Sequence, residues 1–559
     1  MTILFNEDKQ RQKVEELREQ EEEGLAKMMA QKYGLPYKDF SISSVNIDAL
    51  RIVKEIEARE AGAAPFNLIN KKLSLAILTP NANKTQELVE ELKDKGYTVN
   101  LFLVSQQSLE KIWERYKDLS YSLETKSGAL DISNEDIEEL TASVKNVTDI
   151  KKSIENLISQ KKNYRISRIL EIILAGAISV EASDIHIEPE DSSVRIRFRL
   201  DGVLNNVTEI DSRTYNLLLS RIKLVSNLKL NVKGKAQDGR FSIKLADEEI
   251  EIRTSLLPGG YGESIVLRVL NPNAISVPLE ELGINERLLE ILKHEMSKPN
   301  GMILNTGPTG SGKTTTLYAF LKKRHTPGIK IITIENPIEY HIKGIVQTQT
   351  DDTKGYTFLE GLRSALRQDP DIIMVGEIRD QETAEIAINA SLTGHLVFST
   401  LHTNNAAGTF PRLIDLGVNP KVISSAMNIA MAQRLVRKLC DKCKKKASLN
   451  DSEKIIIKNT LNTIKDKKYL EELDIENVYE PTGCEICNFT GYKGRTGIFE
   501  AILADEEIEK IVTENPSERE INKAAEGQNI LSMKQDGIIK VLKGVTSLSE
   551  LSRVIDLEE

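Results

Sequence analysis

The sequence predicts a multidomain α/β protein, and two features of the chain support this. With 559 residues, the chain is too long for one hydrophobic core, because domains usually hold about 100–200 residues. From Leu282 onward, apolar strand-like segments alternate with helical segments, which is the pattern of a parallel sheet with helices between its strands. Two shorter α/β units precede this region, so we expect three or four domains.

The hydropathy and charge patterns divide the chain into five segments. Residues 1–34 are predicted to form a charged helical arm, and residues 35–119 a small α/β domain. Residues 120–159 have the polar, acidic composition of a linker. A second α/β domain is predicted at 160–275, and the largest domain at 276–559.

The composition excludes several classes of protein. Apolar residues make up 40% of the chain and charged residues 28%, as in ordinary soluble proteins. The net charge of -9 argues against a dedicated nucleic-acid binder, which would carry a basic surface. No apolar run reaches the roughly 20 residues that span a bilayer, and residues 1–20 lack the apolar core of a signal peptide. We therefore expect a cytoplasmic protein that reaches the membrane through partners.

One segment of the largest domain carries a phosphate-binding pattern. Residues 307–314 match G-x-x-x-x-G-K-[ST], follow an apolar strand candidate at 302–304 and precede a helical segment. Backbone N–H groups and the helix N-terminus would hold phosphates, Lys313 would reach the β/γ-phosphates, and Thr314 would bind Mg²⁺. The alternative, a glycine-rich turn without a ligand, is disfavoured by this strand–loop–helix context. The predicted nucleotide-binding residues are Gly307, Pro308, Thr309, Gly310, Ser311, Gly312, Lys313, Thr314 and Thr315.

Acidic residues follow two further strand candidates. Glu335 and Glu339 come after the apolar segment 331–334, and Glu377 follows 372–375. In parallel sheets such positions face the phosphate loop, where one acid could hold Mg²⁺ and another could orient water. A single glutamate of this kind is more often a solvated strand end, but two such sites favour function.

Two histidines and four cysteines complete the set of candidates. His395 and His402 flank the apolar strand candidate 396–398, so each is either a core residue or a nucleotide sensor. The four cysteines form two C-x-x-C pairs, within a predicted zinc element at 440–490. Four thiolates suit tetrahedral Zn²⁺ with no open position, which predicts a structural site; a pair of redox dithiols is the alternative. The ligands would be Cys440, Cys443, Cys484 and Cys487.

Taken in order, the motifs resemble those of the secretion ATPase superfamily, the PilB/GspE-like motors of type IV pilus assembly and type II secretion. The resemblance covers about residues 160–555. The matching segments are 182–189, 197–202, 237–240, 307–314, 335–339, 362–371, 376–380, 393–403 and 432–437, followed by the cysteine pairs.

The resemblance implies a RecA-like P-loop ATPase domain, preceded by a PAS-like α/β domain and a small N-terminal docking domain. It also implies a homohexamer that uses ATP and Mg²⁺, with Glu339 as general base and Glu377 as Walker B acid. Four arginines would contact the nucleotide, although each taken singly is more often part of a surface ion pair. They are Arg240, Arg253, Arg363 and Arg367.

The implied function is ATP-driven assembly of a type IV pilus. Its partners would be an integral membrane platform protein and a cytoplasmic-ring docking protein, at the cytoplasmic face of the inner membrane. A type II secretion motor is the near alternative, and a nucleic-acid translocase is disfavoured by the acidic balance. Asn336 stands where the family usually has Asp, which also leaves a catalytically weak, regulatory ring as an alternative.

Overall fold

The computed structural model describes residues 22–40, 45–50, 52–69, 71–118, 123–124, 129–131, 144, 146–159, 166–245, 248–270, 277–471 and 473–557. These residues fall into two compact units. One is drawn from residues 1–122 and 159–169, and the other from 123–158 and 170–559.

The first unit is a small α/β domain. Residues 22–33 are helical, and a three-stranded sheet follows, with strand order β1-β2-β3. Phe66 and Trp113 belong to its core. The elements are β1 (Ala63–Ile69), β2 (Lys72–Ile77), β3 (Thr98–Leu103), α1 (Ile47–Leu50), α2 (Glu55–Glu60), α3 (Asn83–Asp94) and α4 (Gln106–Glu114). The part of the charged arm before residue 22 lies outside the described residues.

The second unit begins with an eight-stranded sheet, in the order β4-β5-β9-β10-β11-β6-β7-β8. Inward-facing apolar residues alternate along its strands, as in a sheet with one buried face; β7 alternates strictly between buried and half-buried positions. The strands are β4 (Leu123–Glu124), β5 (Ala129–Asp131), β6 (Asp184–Pro189), β7 (Val194–Leu200), β8 (Val203–Ile210), β9 (Gln237–Leu245), β10 (Glu248–Gly259) and β11 (Gly262–Leu270). The helices are α5 (Val147–Ser159), α6 (Ile166–Ser179) and α7 (Ser212–Val225).

Part of the segment 120–159, predicted as a polar linker, consists of regular elements. β5 pairs in parallel with β9, and α5 packs on α6, where a Cβ at Gly176 would lie 2.9 Å from the Ile150 side chain. Ile150 and Ile154 are fully buried and stand four residues apart, on one face of the helix. The sequence did not indicate this helix, because the short apolar stripe lies within a segment whose overall composition is polar.

The same unit continues into a seven-stranded sheet, ordered β14-β13-β15-β16-β12-β17-β20. All neighbours are parallel except β17 and β20. The central strands are buried along their whole length, as expected for a parallel sheet covered by helices on both faces. The strands are β12 (Gly301–Thr306), β13 (Ile331–Glu335), β14 (Val346–Gln349), β15 (Ile372–Val375), β16 (Leu396–Leu401), β17 (Met427–Leu439) and β20 (Tyr492–Leu503), and β18 (Lys445–Ser448) and β19 (Asn477–Glu480) pair separately.

Helices connect and cover these strands. They are α8 (Glu286–Ser297), α9 (Lys313–Arg324), α10 (Phe358–Leu366), α11 (Gln381–Leu392), α12 (Thr409–Asp415), α13 (Pro420–Ala426), α14 (Asp451–Asn462), α15 (Glu506–Glu514), α16 (Glu518–Ala525), α17 (Met533–Leu542) and α18 (Leu548–Val554). In the part of the chain that the structure describes, none of the helices combines the length and apolar character needed to cross a bilayer.

A buried acid joins the last helix to the sheet. Glu550 on α18 is 1% exposed and accepts hydrogen bonds from Arg437 Nε at 2.9 Å and from Arg553 NH2 at 2.7 Å. Burial raises the pKa of this carboxyl, but the hydrogen bonds from Arg553 and Arg437 outweigh it and bring the pKa from 4.5 to about 2. The charged carboxylate therefore stabilises the folded state.

We expect Glu550→Gln to lower the free energy of unfolding by about 3 kcal/mol at neutral pH, because it leaves two guanidinium groups without their anion. The wild-type pKa is lower in the folded than in the unfolded state, so this stabilisation is complete above about pH 4.5 and is lost as the pH falls toward 2. Thermal unfolding over this pH range should show the two proteins converging in acid.

The matched control for this change is Glu526→Gln, which removes an exposed ion pair of 3.3 Å with Lys465. Such pairs contribute about 0–1 kcal/mol, so this variant should unfold like the wild type. Equal stability of Glu550→Gln and Glu526→Gln at neutral pH would contradict the stabilising role of Glu550.

Candidate functional site

The phosphate loop lies between a fully buried strand and a helix, as the sequence predicts. β12 ends at Thr306, residues 307–312 form the loop, and α9 begins at Lys313. Gly307 and Gly312 have φ values of 145° and 90°. A Cβ atom would lie 2.4 Å from the Gln433 carbonyl oxygen at Gly307, and 2.8 Å from Gln433 Nε2 at Gly312. Both positions therefore require glycine for conformational and steric reasons.

Lys313 folds back onto this loop. Its Nζ donates to the carbonyl oxygens of Gly307 at 2.8 Å and Pro308 at 3.1 Å. Burial lowers the pKa of Lys313, while the negative charge of Glu377 acts to raise it. The ammonium group is thus held at the loop by weak neutral acceptors, which the oxygens of a phosphate could replace.

A cleft of about 1050 Å³ opens over the phosphate loop. One wall comes from the seven-stranded sheet and includes Glu335, Glu339, Glu377 and His402, and the other comes from the eight-stranded sheet. The loop residues that line the cleft are Pro308, Thr309, Gly310, Ser311, Gly312, Lys313, Thr314 and Thr315. Two bodies of the same unit therefore enclose one polar space.

Glu339, which lines the cleft, is paired with an arginine of the eight-stranded sheet. NH1 of Arg253, on β10, lies 3.3 Å from Glu339 Oε2, and NH2 donates to the Ile338 carbonyl oxygen at 2.9 Å. Nε of Arg253 also donates to Glu251 at 3.2 Å. The structure thus brings together two residues that are 86 positions apart in the sequence and that were predicted separately as base and nucleotide contact.

Glu335 occupies a different environment from Glu339. It is 3% exposed, and both of its carboxylate oxygens accept hydrogen bonds from the protein. Thr333 Oγ1 and Gln347 Nε2 donate to Oε1 at 2.6 and 3.0 Å, and the hydroxyl of Tyr318 donates to Oε2. Burial raises the pKa of Glu335, and these three donors act to lower it. Its carboxylate is engaged within the protein, so a nucleotide contact by Glu335 stays a prediction.

The third predicted acid, Glu377, has one histidine beside it. His402 Nε2 lies 3.2 Å from Glu377 Oε2, and Arg379 forms an ion pair with the other carboxylate oxygen. His395 stands just before β16, at the opposite end of that strand from His402, with Nδ1 3.1 Å from the Ala390 carbonyl oxygen. The structure therefore brings only one of the two predicted histidines to the cleft.

Like Arg253, the other predicted arginines do not occur among the described residues that line the cleft of the single chain. Arg240 on β9 is paired in register with Arg253 on β10. Arg363 forms an ion pair of 3.2 Å with Glu360, and Arg367 is the C-cap of α10. Among the described residues that line the cleft, none of these arginines occurs, and their contacts with nucleotide stay predictions.

The four cysteines meet at one point. Their sulfur atoms all lie within 4.8 Å of one another. The Sγ–Sγ distances are 3.9 Å for Cys440–Cys484, 3.8 Å for Cys443–Cys487 and 3.7 Å for Cys484–Cys487. A tetrahedron with Zn–S bonds of about 2.3 Å has edges of about 3.8 Å, so the thiol set fits a zinc ion.

Comparison with known proteins identifies the family. A family model described as "Type II/IV secretion system protein" matches residues 159–553, which is more than half of the chain. The chain belongs to the type II/IV secretion system protein family. It is 35% identical to the type IV pilus assembly ATPase PilB of Myxococcus xanthus, over 95% of this chain and 91% of that protein. It is 43% identical to the type II secretion system protein E of Aeromonas hydrophila, over 72% of this chain and 77% of that protein.

A solved structure has a fold similar to that of this chain. The ATPase DotB of Yersinia pseudotuberculosis superimposes with a TM-score of 0.51 and 19% identity, over 70% of this chain and 95% of that chain. The predicted resemblance to the secretion ATPase superfamily and the predicted α/β fold class are therefore confirmed.

The cleft of this secretion-family chain also contains charged residues to which no role was predicted. Asp184 is 6% exposed and lies 3.2 Å from Arg199 Nε and 3.1 Å from Arg268 Nε. Arg434 also lines the cleft. Asp184, Arg199 and Arg434 lie in segments that carry the family resemblance, so their position in the sequence could have marked them as candidates. Arg268 lies outside those segments, and the sequence offered no such indication for it.

We expect purified protein to contain about one zinc ion per chain, measured by elemental analysis, because four thiolates close a tetrahedral site. Cys484→Ser removes one ligand and should lower both zinc content and melting temperature. Lys445→Ala changes an exposed residue of the same element without touching a ligand, so it should keep its zinc. Zinc-free wild-type protein with C-x-x-C disulfides would contradict the metal site and support the redox alternative.

Proposed function

We propose that this chain is a motor ATPase that hydrolyses Mg²⁺-ATP in the cleft and, as a homohexamer, drives the assembly of a type IV pilus. One observation carries the proposal: Arg253 reaches from the eight-stranded sheet to Glu339, beside the phosphate loop. A cleft whose two walls are linked by exchangeable ion pairs can convert a change in the bound nucleotide into relative movement of the walls.

The phosphate loop and its lysine bind the nucleotide. Backbone N–H groups of residues 309–313 and the N-terminus of α9 hold the phosphates, and Lys313 exchanges its two carbonyl acceptors for β/γ-phosphate oxygens. Thr314 and Glu377 would hold Mg²⁺, which when bound neutralises charge on the phosphates. His402 fixes the orientation of Glu377 through their 3.2 Å contact.

Glu339 acts as the general base. Its carboxylate accepts a proton from water as the water oxygen attacks the γ-phosphorus and the bond to the ADP oxygen breaks. An ion pair with Arg253 opposes this step, because the guanidinium lowers the basicity of the carboxylate. ATP binding relieves it, since the γ-phosphate competes with Glu339 for Arg253 and turns this arginine into a stabiliser of transition-state charge.

For Arg253→Ala, we expect turnover to fall by about 100-fold or more, while ATP affinity falls much less. The matched control is Glu251→Gln, which removes the 3.2 Å partner of Arg253 on its own strand and leaves the guanidinium able to reach the cleft. ATP affinity, turnover and melting temperature should be measured on the same preparations. Normal turnover of Arg253→Ala would exclude the exchange mechanism.

The chain would act as one subunit of a ring beneath the membrane. We infer a homohexamer at the cytoplasmic face of the inner membrane, in which nucleotide-driven closing of the cleft turns an integral membrane platform protein. The N-terminal unit would dock on a cytoplasmic-ring protein. Arg240, Arg363, Arg367 and His395, which lie outside the cleft of one chain, would then approach nucleotide through the neighbouring subunit or on closure.

The extent of the alignments favours the pilus over secretion. The match to the pilus assembly ATPase covers 95% of this chain and so includes most of the N-terminal unit. The match to the type II secretion protein covers 72%. If the N-terminal unit determines which machine the motor joins, the broader match supports pilus assembly, and type II secretion remains the second candidate.

The test is to replace the chromosomal gene with the Lys313→Ala variant, and to score surface pili and secreted proteins. Loss of the Lys313 ammonium group, which contacts the loop, should abolish ATP turnover of the purified variant while it stays folded. We expect cells without surface pili and with normal protein secretion. Lys323→Ala, on the exposed side of the same helix in a 2.8 Å pair with Glu280, should behave as wild type.

Three results would contradict the proposal. If cells with the Lys313→Ala variant lost protein secretion but kept normal pili, the chain would be assigned to type II secretion. Stimulation of ATP turnover by DNA would favour a nucleic-acid translocase, and wild-type turnover in the Lys313→Ala variant would exclude ATP hydrolysis at this loop.

A further inference from the structure

A buried tyrosine connects the phosphate-loop helix to the segment that carries Glu339. Tyr318 lies on α9, five residues after Lys313, and its side chain is fully buried. Its ring packs edge-to-face on the ring of Tyr340, with the centroids 4.7 Å apart and the planes at 72°. Tyr340 directly follows Glu339 in the sequence, so the helix and the segment that carries the base are in van der Waals contact through two aromatic rings.

The hydroxyl of Tyr318 adds hydrogen bonds to this packing between the two rings. It donates a hydrogen bond to Glu335 Oε2, and it lies 3.4 Å from Nε2 of Gln347, which also donates to the carbonyl oxygen of Tyr340 at 3.2 Å. The hydroxyl thus joins the end of β13 to the helix that begins at Lys313, and Gln347 links both to the backbone of Tyr340, the residue after Glu339. A buried hydroxyl with a donor and an acceptor on either side has little freedom to rotate or shift.

Glu335, which accepts the hydrogen bond from Tyr318, is itself held by two further donors. Thr333 donates to Glu335 Oε1 at 2.6 Å, and Gln347 donates to the same oxygen at 3.0 Å. Gln347 Oε1 in turn accepts from the backbone N–H of Ile342 at 2.6 Å. These partners belong to β13, β14 or the loop between them. The carboxylate of Glu335, and with it the position of the Tyr318 hydroxyl, therefore depends on how these elements are placed relative to one another.

We propose that Tyr318 and Glu335 are positioning residues for ATP hydrolysis, which act by holding the segment that carries Glu339 at a fixed place relative to Lys313. This inference rests on the proposed role of Glu339 as general base. It assigns Glu335 no contact with nucleotide or metal, and it gives α9 two tasks: its N-terminus binds phosphate, and its second turn sets the distance to the base.

The physical reason lies in the geometry that proton abstraction demands. A base must lie within about 2.6–3.2 Å of the proton that it removes, and a misplacement of about 1 Å can cost about 100-fold in rate. The loop at 336–339 is half-exposed or exposed, whereas Tyr318 is fully buried, so we expect the contact with the tyrosine to move less than the ion pair with Arg253.

The first test is Tyr318→Phe, which deletes one oxygen atom and keeps the packing against Tyr340. We expect the turnover number to fall by about 10- to 100-fold, with the KM for ATP within about twofold of wild type, because Lys313 and the loop are unchanged. Glu335→Gln should act in the same direction. Tyr356→Phe is the matched control: it deletes a hydroxyl that donates to Thr348 at 2.9 Å in the same region and should keep wild-type turnover.

A double-mutant cycle separates positioning from a general loss of structure. If Tyr318 acts through the base, Tyr318→Phe should cost nothing further when Glu339 is already Gln, as measured by single-turnover hydrolysis of radiolabelled ATP. A further tenfold loss in the double variant would mean that the tyrosine acts on the phosphate loop or on folding, and would overturn the inference.

The outcomes also distinguish this inference from the proposed function. Wild-type turnover of Tyr318→Phe together with a crippled Glu339→Gln would overturn the positioning role alone. Wild-type turnover of Glu339→Gln would overturn the assignment of the base, and the positioning role with it.

Discussion

The side-chain amide of Gln433 holds the phosphate loop in shape, and the cleft is built around that loop. Gln433 lies on β17 and is 2% exposed. Its Oε1 accepts hydrogen bonds from Asn305 on β12 at 2.9 Å and from Thr316 on α9 at 2.8 Å. Leaving such a buried group without its partners costs about 1–3 kcal/mol, so strand, loop and helix keep one spacing. The same residue occupies the space that side chains at Gly307 and Gly312 would need.

The charges of the cleft are arranged as pairs that can exchange partners. Arg253 pairs with Glu339, and Asp184 with Arg199 and Arg268. Most of these groups are partly exposed, and such ion pairs contribute only about 0–1 kcal/mol. A phosphate can therefore replace a carboxylate at little cost in stability. Glu550 differs from these groups, because its side chain is buried and hydrogen bonds from Arg553 and Arg437 bring its pKa to about 2.

The cysteine element is joined to the eight-stranded-sheet region as well as to its own domain. Asn488, one residue after Cys487, accepts a hydrogen bond from the backbone N–H of Val147 at 2.9 Å, at the N-terminus of α5. Asp201, after β7, accepts one from Gly494 at 3.0 Å. A metal ion bound by Cys484 and Cys487 would hold the loop that carries Asn488, and through this hydrogen bond it would also support the position of α5.

The sequence was sufficient to place the glycine-rich loop between β12 and α9, the acids at the ends of β13 and β15 and the two C-x-x-C turns, because each of these depends on local spacing. A glycine-rich turn after a buried strand, a carboxylate at a strand end and a C-x-x-C turn carry their chemistry wherever the chain places them. The pairing of Arg253 with Glu339, the burial of Glu335 beneath Tyr318 and the ordered α5 depend on contacts between segments far apart in the chain. Periodicity and composition contain no information about such contacts, since they report which face of an element is apolar and not what that face meets. Only the packed structure could therefore separate Glu339, whose carboxylate meets Arg253, from Glu335 four residues earlier, whose carboxylate accepts hydrogen bonds from Tyr318, Thr333 and Gln347.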